Sequence, residues 1–242
     1  MDFADVEITD STSELAVFGI WGPKAREILQ SLTPYDLGNE NFPFMHSREL
    51  DIAGVALRAT RITYVGELGW ELYLPVGQGA QVWDALIKAG KPFGAEPCGY
   101  RAIESLRLEK GYLAWGSEIN TETTPLEAGL GFAVSQKKSA FIGKAALLAN
   151  PHPSRALVAI TFDDLKRTPL GNEPIRVNGE IIGRIKSGGQ GYTLQKGIGY
   201  AYLPSKFTAP GTSLEVEFFG EWQIGVIRTS PLFDPEGLRI KA

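Results

Sequence analysis

The strongest constraint in this sequence is a change of rhythm near residue 150. From Arg155 onward the apolar residues come in short runs separated by tight turns, with no helical spacing among them. Pro174 to Val177 and Glu180 to Lys186 flank Asn178-Gly179, a pair that accepts the positive φ values of a two-residue hairpin. Leu214 to Phe219 and Trp222 to Arg228 flank a second tight turn, at Gly220-Glu221. About six short strands in this span predict a small antiparallel barrel or sandwich. Asn150-Pro151-His152-Pro153-Ser154 precedes them and reads as a linker.

The earlier part mixes strands with helices. Leu15 to Trp21 is an apolar run bounded by polar residues, as in a buried strand. Gly22-Pro23 opens a helix, because proline suits the first helical position. Ala25, Ile28, Leu29 and Leu32 give it one apolar face, and Thr33-Pro34 stops it. Val55 to Tyr64 and Trp70 to Leu74 read as strands joined by the glycine-bearing turn Val65-Gly66-Glu67-Leu68-Gly69. A helix from Gln78 to Ala89 buries Val82, Trp83 and Leu86; two more are expected over Arg101–Lys110 and Gly143–Ala149. Strand, helix, strand, strand, helix is the order of a ferredoxin-like unit. The chain as a whole reads as α+β.

Composition limits the partners. The formal charge is −4, with 43% hydrophobic and 21% charged residues, and no Lys/Arg stripe stands out. That argues against nucleic acid. No apolar run reaches the length of a membrane span. Residues 1–5, Met-Asp-Phe-Ala-Asp, lack the basic-then-apolar order of a secretory signal. The single cysteine, Cys98, rules out an intrachain disulfide and fits a reducing, cytoplasmic setting. With two histidines and one cysteine, a zinc site is poorly supplied.

Pattern alone says little about chemistry. The sequence has no phosphate loop, dinucleotide fingerprint or GxSxG elbow. Cys98 reads as a buried structural thiol, since free cysteine is usually buried. His46 and His152 lie near prolines and read as structural or solvated. Gly188-Gly189-Gln190-Gly191 reads as a bend or bulge in a curved sheet. Trp70, Trp83, Trp115 and Trp222 read as core or edge residues, although each ring could stack on a flat ligand.

Four motifs in order carry more information. Tyr64-Val65-Gly66-Glu67-Leu68-Gly69-Trp70-Glu71 resembles the Y-x-G-E-x-G-x-E turn of the glycine-cleavage T-protein (aminomethyltransferase) family. Ser105-Leu106-Arg107-Leu108-Glu109 resembles its S-L-R-L-E helix, and Thr123-Thr124-Pro125-Leu126-Glu127-Ala128-Gly129-Leu130 the segment that follows. Gly19-Ile20-Trp21-Gly22-Pro23-Lys24-Ala25 is similar to its G-x-x-G-P-x-A motif. Gly99-Tyr100-Arg101-Ala102, Glu109-Lys110-Gly111-Tyr112, Pro169-Leu170-Gly171-Asn172-Glu173-Pro174 and Tyr200-Ala201-Tyr202-Leu203-Pro204 resemble the branch fused to flavin-dependent dimethylglycine and sarcosine dehydrogenases.

The resemblance implies a folate-binding region of ferredoxin-like or Greek-key type over 1–150 and a β-barrel over 155–242. It implies tetrahydrofolate as the acceptor of a one-carbon unit from an amine-derived donor. By the same resemblance Glu67 reads the pterin edge, Tyr64 and Tyr112 line the pocket, and Arg101 meets the glutamyl carboxylate. Ile103 stands where standalone T-proteins carry a folate-contacting arginine. The family pattern also begins earlier, with an N-terminal segment bearing a catalytic aspartate. The chain is therefore expected to be a fragment, a truncated form or one piece of a split enzyme. Apolar surface would be left exposed for a partner, such as the missing segment or a flavin-containing dehydrogenase subunit, and activity alone would be low. The rival expectation is a non-catalytic folate-binding or flavoprotein-docking module. A demethylase using the same scaffold is a third.

Overall fold

The computed structural model describes residues 5–135, 137–165 and 168–242; the N-terminal residues 1–4 read above lie outside them. In chain order the described elements are β1 (Leu15–Trp21), α1 (Ala25–Gln30), β2 (Ser47–Ile52), β3 (Val55–Thr60), β4 (Gly69–Pro75), α2 (Gly79–Gly90), α3 (Tyr100–Lys110), α4 (Lys144–Ala149), β5 (Arg155–Phe162), β6 (Pro174–Val177), β7 (Glu180–Gly191), β8 (Lys196–Pro204), β9 (Ser213–Phe218), β10 (Glu221–Arg228) and α5 (Leu238–Lys241). By internal contacts the chain divides into two compact units, residues 1–99 with 236–242, and residues 100–235.

The first unit is built on an antiparallel sheet of order β1-β4-β3-β2. Strand alternation sends Trp70, Leu72 and Leu74 of β4 to one face, where they are fully buried with Leu29 of α1 and Val82 and Leu86 of α2. The opposite face stays open: Leu15 and Val17 are 45% and 52% exposed, and Ala56 and Arg58 are exposed beside them. The spacing argument does not find β2. Its sequence, Ser-Arg-Glu-Leu-Asp-Ile, is half charged, and only Leu50 and Ile52 are buried. Charge on an edge strand blocks pairing with another chain, which is the physical reason such strands look unlike strands.

The second unit contains a closed antiparallel barrel of order β10-β5-β8-β7-β6-β9. Inward positions on alternate residues fill it: Ile160, Ile175, Ile185, Val216, Phe218 and Ile227 are all buried. Asn178 (φ 52°) and Gly179 (φ 83°) make the hairpin turn the sequence predicts. The other hairpin turns one residue earlier than expected, at Phe219 (φ 50°) and Gly220 (φ 88°), because Glu221 already pairs with Phe218. In β7 the register shifts between Ile185 and Ser187, immediately before the glycine run, as a bulge requires. The glycines also admit a neighbour. A Cβ on Gly189 would lie 2.8 Å from Leu108 of α3, and one on Gly191 2.9 Å from the Glu109 carboxylate.

Candidate functional site

The turn between β3 and β4 is anchored on both sides and holds its tip in place. Val65 and Leu68 are buried, the Leu68 carbonyl accepts the Gly22 N–H at 2.8 Å, and the Trp21 indole N–H donates to the Ile62 carbonyl at 3.1 Å. Gly66 takes φ 76°, a region that favours glycine, and this lets the chain reverse within the turn. Tyr64 is half-buried in the same turn. Glu67 is only 18% exposed at its side chain, so it is not a solvated tip residue. Its Oε1 accepts a 2.7 Å hydrogen bond from Arg239 Nη1, a charge-assisted pair. Arg239 lies 172 residues away in sequence and no spacing argument points to it.

Two residues past the turn, Glu71 lies on β4 and accepts a short hydrogen bond from the Tyr73 phenol. That bond, then burial, push the Tyr73 phenol up to about 12. Tyr73 lines an open hollow of about 550 Å³ with Leu15, Ser47, Glu49, Arg58 and Thr60. The sequence motif contains Glu71, yet the turn drew attention to Glu67. The signal for Glu71 is strand parity: it shares its face with Tyr73 rather than with buried Trp70 and Leu72.

In the second unit Arg101 and Tyr112 lie at opposite ends of α3. Arg101 is exposed, whereas Tyr112 is half-buried just past the helix. Burial, aided by the Asp234 carboxylate, raises the Tyr112 phenol above its ordinary range. Lys110, almost fully buried, donates to Asp234 Oδ2 at 2.8 Å. Below them is a buried ion pair. Arg107 Nη1 donates to Glu118 Oε1 at 2.7 Å and to the Tyr112 carbonyl at 3.0 Å, and Arg107 also pairs with Glu104. Glu118 Oε2 accepts the Ala114 N–H at 2.8 Å. Burial alone would lower the Arg107 proton affinity, but the two carboxylates outweigh it and hold it above the ordinary value. The pair fixes the backbone of residues 112–118, which carries Tyr112.

Four expected site residues thus fall in two pairs, Tyr64 with Glu67 in the first unit and Arg101 with Tyr112 in the second. The other candidates differ in fate. Cys98 was expected to be buried and is exposed, its thiol only 3.6 Å from the Glu96 carbonyl; it follows a proline in a loop that packs nothing over it. His46 and His152 are both exposed. Trp70 is core, Trp83 is 41% exposed and tilted against Phe18, Trp115 is 71% exposed, and Trp222 lies under the Arg176 guanidinium at 3.8 Å. Among the described residues no cluster of three or more His, Cys, Asp or Glu side chains could hold a metal ion.

Residues 1–138 match the family model described as the GCVT N-terminal domain, and residues 155–234 that described as the glycine cleavage T-protein C-terminal barrel domain. The chain belongs to the glycine-cleavage T-protein family. It is 41% identical over 238 residues to the mitochondrial dimethylglycine dehydrogenase of Homo sapiens, a match covering 97% of this chain and 28% of that protein. It is 39% identical over 216 residues to an aminomethyltransferase of Symbiobacterium thermophilum, covering 88% of this chain and 57% of the relative. The crystal structure of the glycine cleavage system aminomethyltransferase T from Bartonella henselae superposes with a TM-score of 0.81 at 28% identity, over 91% of this chain and 60% of that one. This T-protein family member therefore spans just over a quarter of the length of the human dehydrogenase it matches. Among the described residues no helix is long and apolar enough to cross a membrane.

Proposed function

We propose that this chain binds tetrahydrofolate and serves the transfer of a one-carbon unit from an amine-derived donor to it. The observation that carries this reading is Glu67, held partly buried and charge-paired on an anchored turn where turn composition alone would put a solvated glutamate. A carboxylate offers only acceptors, on two oxygens, and so suits the row of N–H donors along a pterin edge. Glu71, on the open sheet face and already engaged by Tyr73, is the rival carboxylate for that task. In the first unit Tyr64 offers a partly buried ring beside Glu67; in the second, Tyr112 offers a partly buried ring and the Arg101 guanidinium is exposed, a fork suited to a glutamyl carboxylate. Tetrahydrofolate supplies the nucleophilic N5 that receives the carbon. The chain's part is to hold the pterin and keep water from the donor.

The second reading, a folate-binding or docking module without catalysis, draws on the open sheet face of the first unit, where Leu15 and Val17 are exposed. A flavin-containing dehydrogenase partner belongs to that reading. Titration calorimetry with a stable folate analogue tests the first claim. Glu67→Ala should weaken binding roughly tenfold to a hundredfold, the range of a lost charge-assisted hydrogen bond. Equal affinity for parent and Glu67→Ala, with loss in Glu71→Ala, would move the pterin to the sheet face. Product formation from an amine donor by the same protein separates transferase from module.

A further inference from the structure

Arg26 and Arg61 stand side by side with no described Asp or Glu side chain paired to either. Both guanidiniums lie over the Trp70 indole, at 5.9 and 5.7 Å from its centre. Arg61 is 1% exposed, and its Nε has no hydrogen-bond partner. Arg61 Nη1 donates to Asn39 Oδ1 at 2.6 Å and the Phe42 carbonyl at 2.8 Å; Arg26 donates to Asn39 Oδ1 at 2.7 Å and the Leu37 carbonyl at 3.1 Å. These acceptors are neutral, and neither arginine pairs with an Asp or Glu side chain among the described residues. Burial and the neighbouring Arg26 cation both lower the proton affinity of Arg61.

The two cations share two oxygens, Asn39 Oδ1 and the main-chain oxygen of Ala242. Arg26 Nη2 and Arg61 Nη2 donate to the main-chain oxygen of Ala242, at 2.7 and 2.9 Å, and Asn39 Nδ2 donates to the Lys241 carbonyl at 3.2 Å. These oxygens lie at the electronegative end of α5, where cations are favoured. A four-residue helix has no stability of its own, so its order depends on what holds its ends. One end is held by Arg26, Arg61 and Asn39. Ile240 is buried in the middle, and Arg239 reaches Glu67.

We propose that Arg26, Arg61 and Asn39 are positioning residues: they clamp residues 236–242 and through that segment fix Arg239 on Glu67. For ligand binding this rests on Glu67 as the pterin-reading carboxylate; the clamp itself does not. With the clamp intact, Arg239 holds one Glu67 oxygen and one rotamer, and the second oxygen faces the ligand already ordered. With the clamp broken, the ligand must order both side chains.

The test uses the full chain. In hydrogen exchange without ligand, Arg26→Met should speed the amides of residues 238–242 about tenfold, as expected for a locally released segment, and leave β3 and β4 unchanged. Arg61→Lys, which keeps the charge but loses the fork, should do the same. Glu67→Gln should also release the segment, and the Arg26→Met/Glu67→Gln double variant should exchange no faster than the faster single. Unchanged protection in both arginine variants overturns the clamp, and independent, multiplying effects overturn its coupling to Glu67. In calorimetry with a folate analogue, Arg26→Met should weaken binding several-fold in the parent background and not at all in Glu67→Ala. Equal loss in both backgrounds would overturn the positioning role. No binding by the parent would count against the folate reading, and the exchange cycle would still decide the clamp.

Discussion

The barrel of residues 155–228 and the sheet of residues 15–75 use the same antiparallel pairing and differ in how they end. The barrel closes on itself through β10 and β5, so every strand is paired on both sides and its interior is apolar throughout. The sheet does not close. One face is sealed by α1 and α2, the other carries exposed Leu15 and Val17 beside Glu71 and Tyr73, and β1 and β2 remain as edges. Closure satisfies backbone and side chains alike and leaves few groups seeking a partner. The open sheet leaves carboxylates and a phenol on a surface that something else can meet. The residues proposed for recognition in the first unit, Tyr64 and Glu67, lie on the turn between two strands of that open sheet.

This contrast can be broken by substitution. The largest effect should come from the buried charges of the second unit. Arg107→Met strands the Glu118 carboxylate without its cation and should cost about 3–5 kcal/mol in denaturant unfolding. Ile160→Ala, inside the barrel, should cost about 2–5 kcal/mol by the same measurement. Val17→Ser, on the open sheet face, should stay within about 0.5 kcal/mol. If Val17→Ser proves as costly as Ile160→Ala, that face is covered in solution and the contrast fails.

A smaller effect sharpens the picture of the open face. The Tyr73 phenol, ordinarily at 10.0, is pushed up to about 12 by its hydrogen bond to Glu71. A raised folded value means the bond's contribution is complete below pH 10 and is lost as pH rises through 12. In an ultraviolet difference titration, Tyr73→Phe should remove one tyrosine's ionisation near 12 from the parent curve. Persistence of the step in Tyr73→Phe would place the bond elsewhere.

Much of the architecture was legible in the residues because it rests on local rules. Asn178-Gly179 can hardly be other than a hairpin turn, and the face of α2 follows from Val82 and Leu86. What was hidden depends on residues far apart. Closure of the barrel needs Ile227 to pair with Ile160, which no hairpin signal announces. Arg239 meets Glu67 only after the chain has passed through the barrel. Arg61 looks like a surface cation in sequence and is buried because Trp70, Asn39 and the 242 carbonyl surround it. Strand β2 was missed because an edge strand is kept polar, and Cys98 was misplaced because burial tendencies describe averages. The motif located the candidate turn, but the partners of its two carboxylates, Arg239 for Glu67 and Tyr73 for Glu71, are not legible in it.

The proposal stands or falls on ligand recognition by the 64–71 turn and strand of the first unit. Hydrogen exchange with and without a stable folate analogue tests it most directly. The account predicts slowed exchange at residues 64–71 and no change across β5 to β10. Protection confined to the barrel strands, with residues 64–71 unaffected, would contradict it.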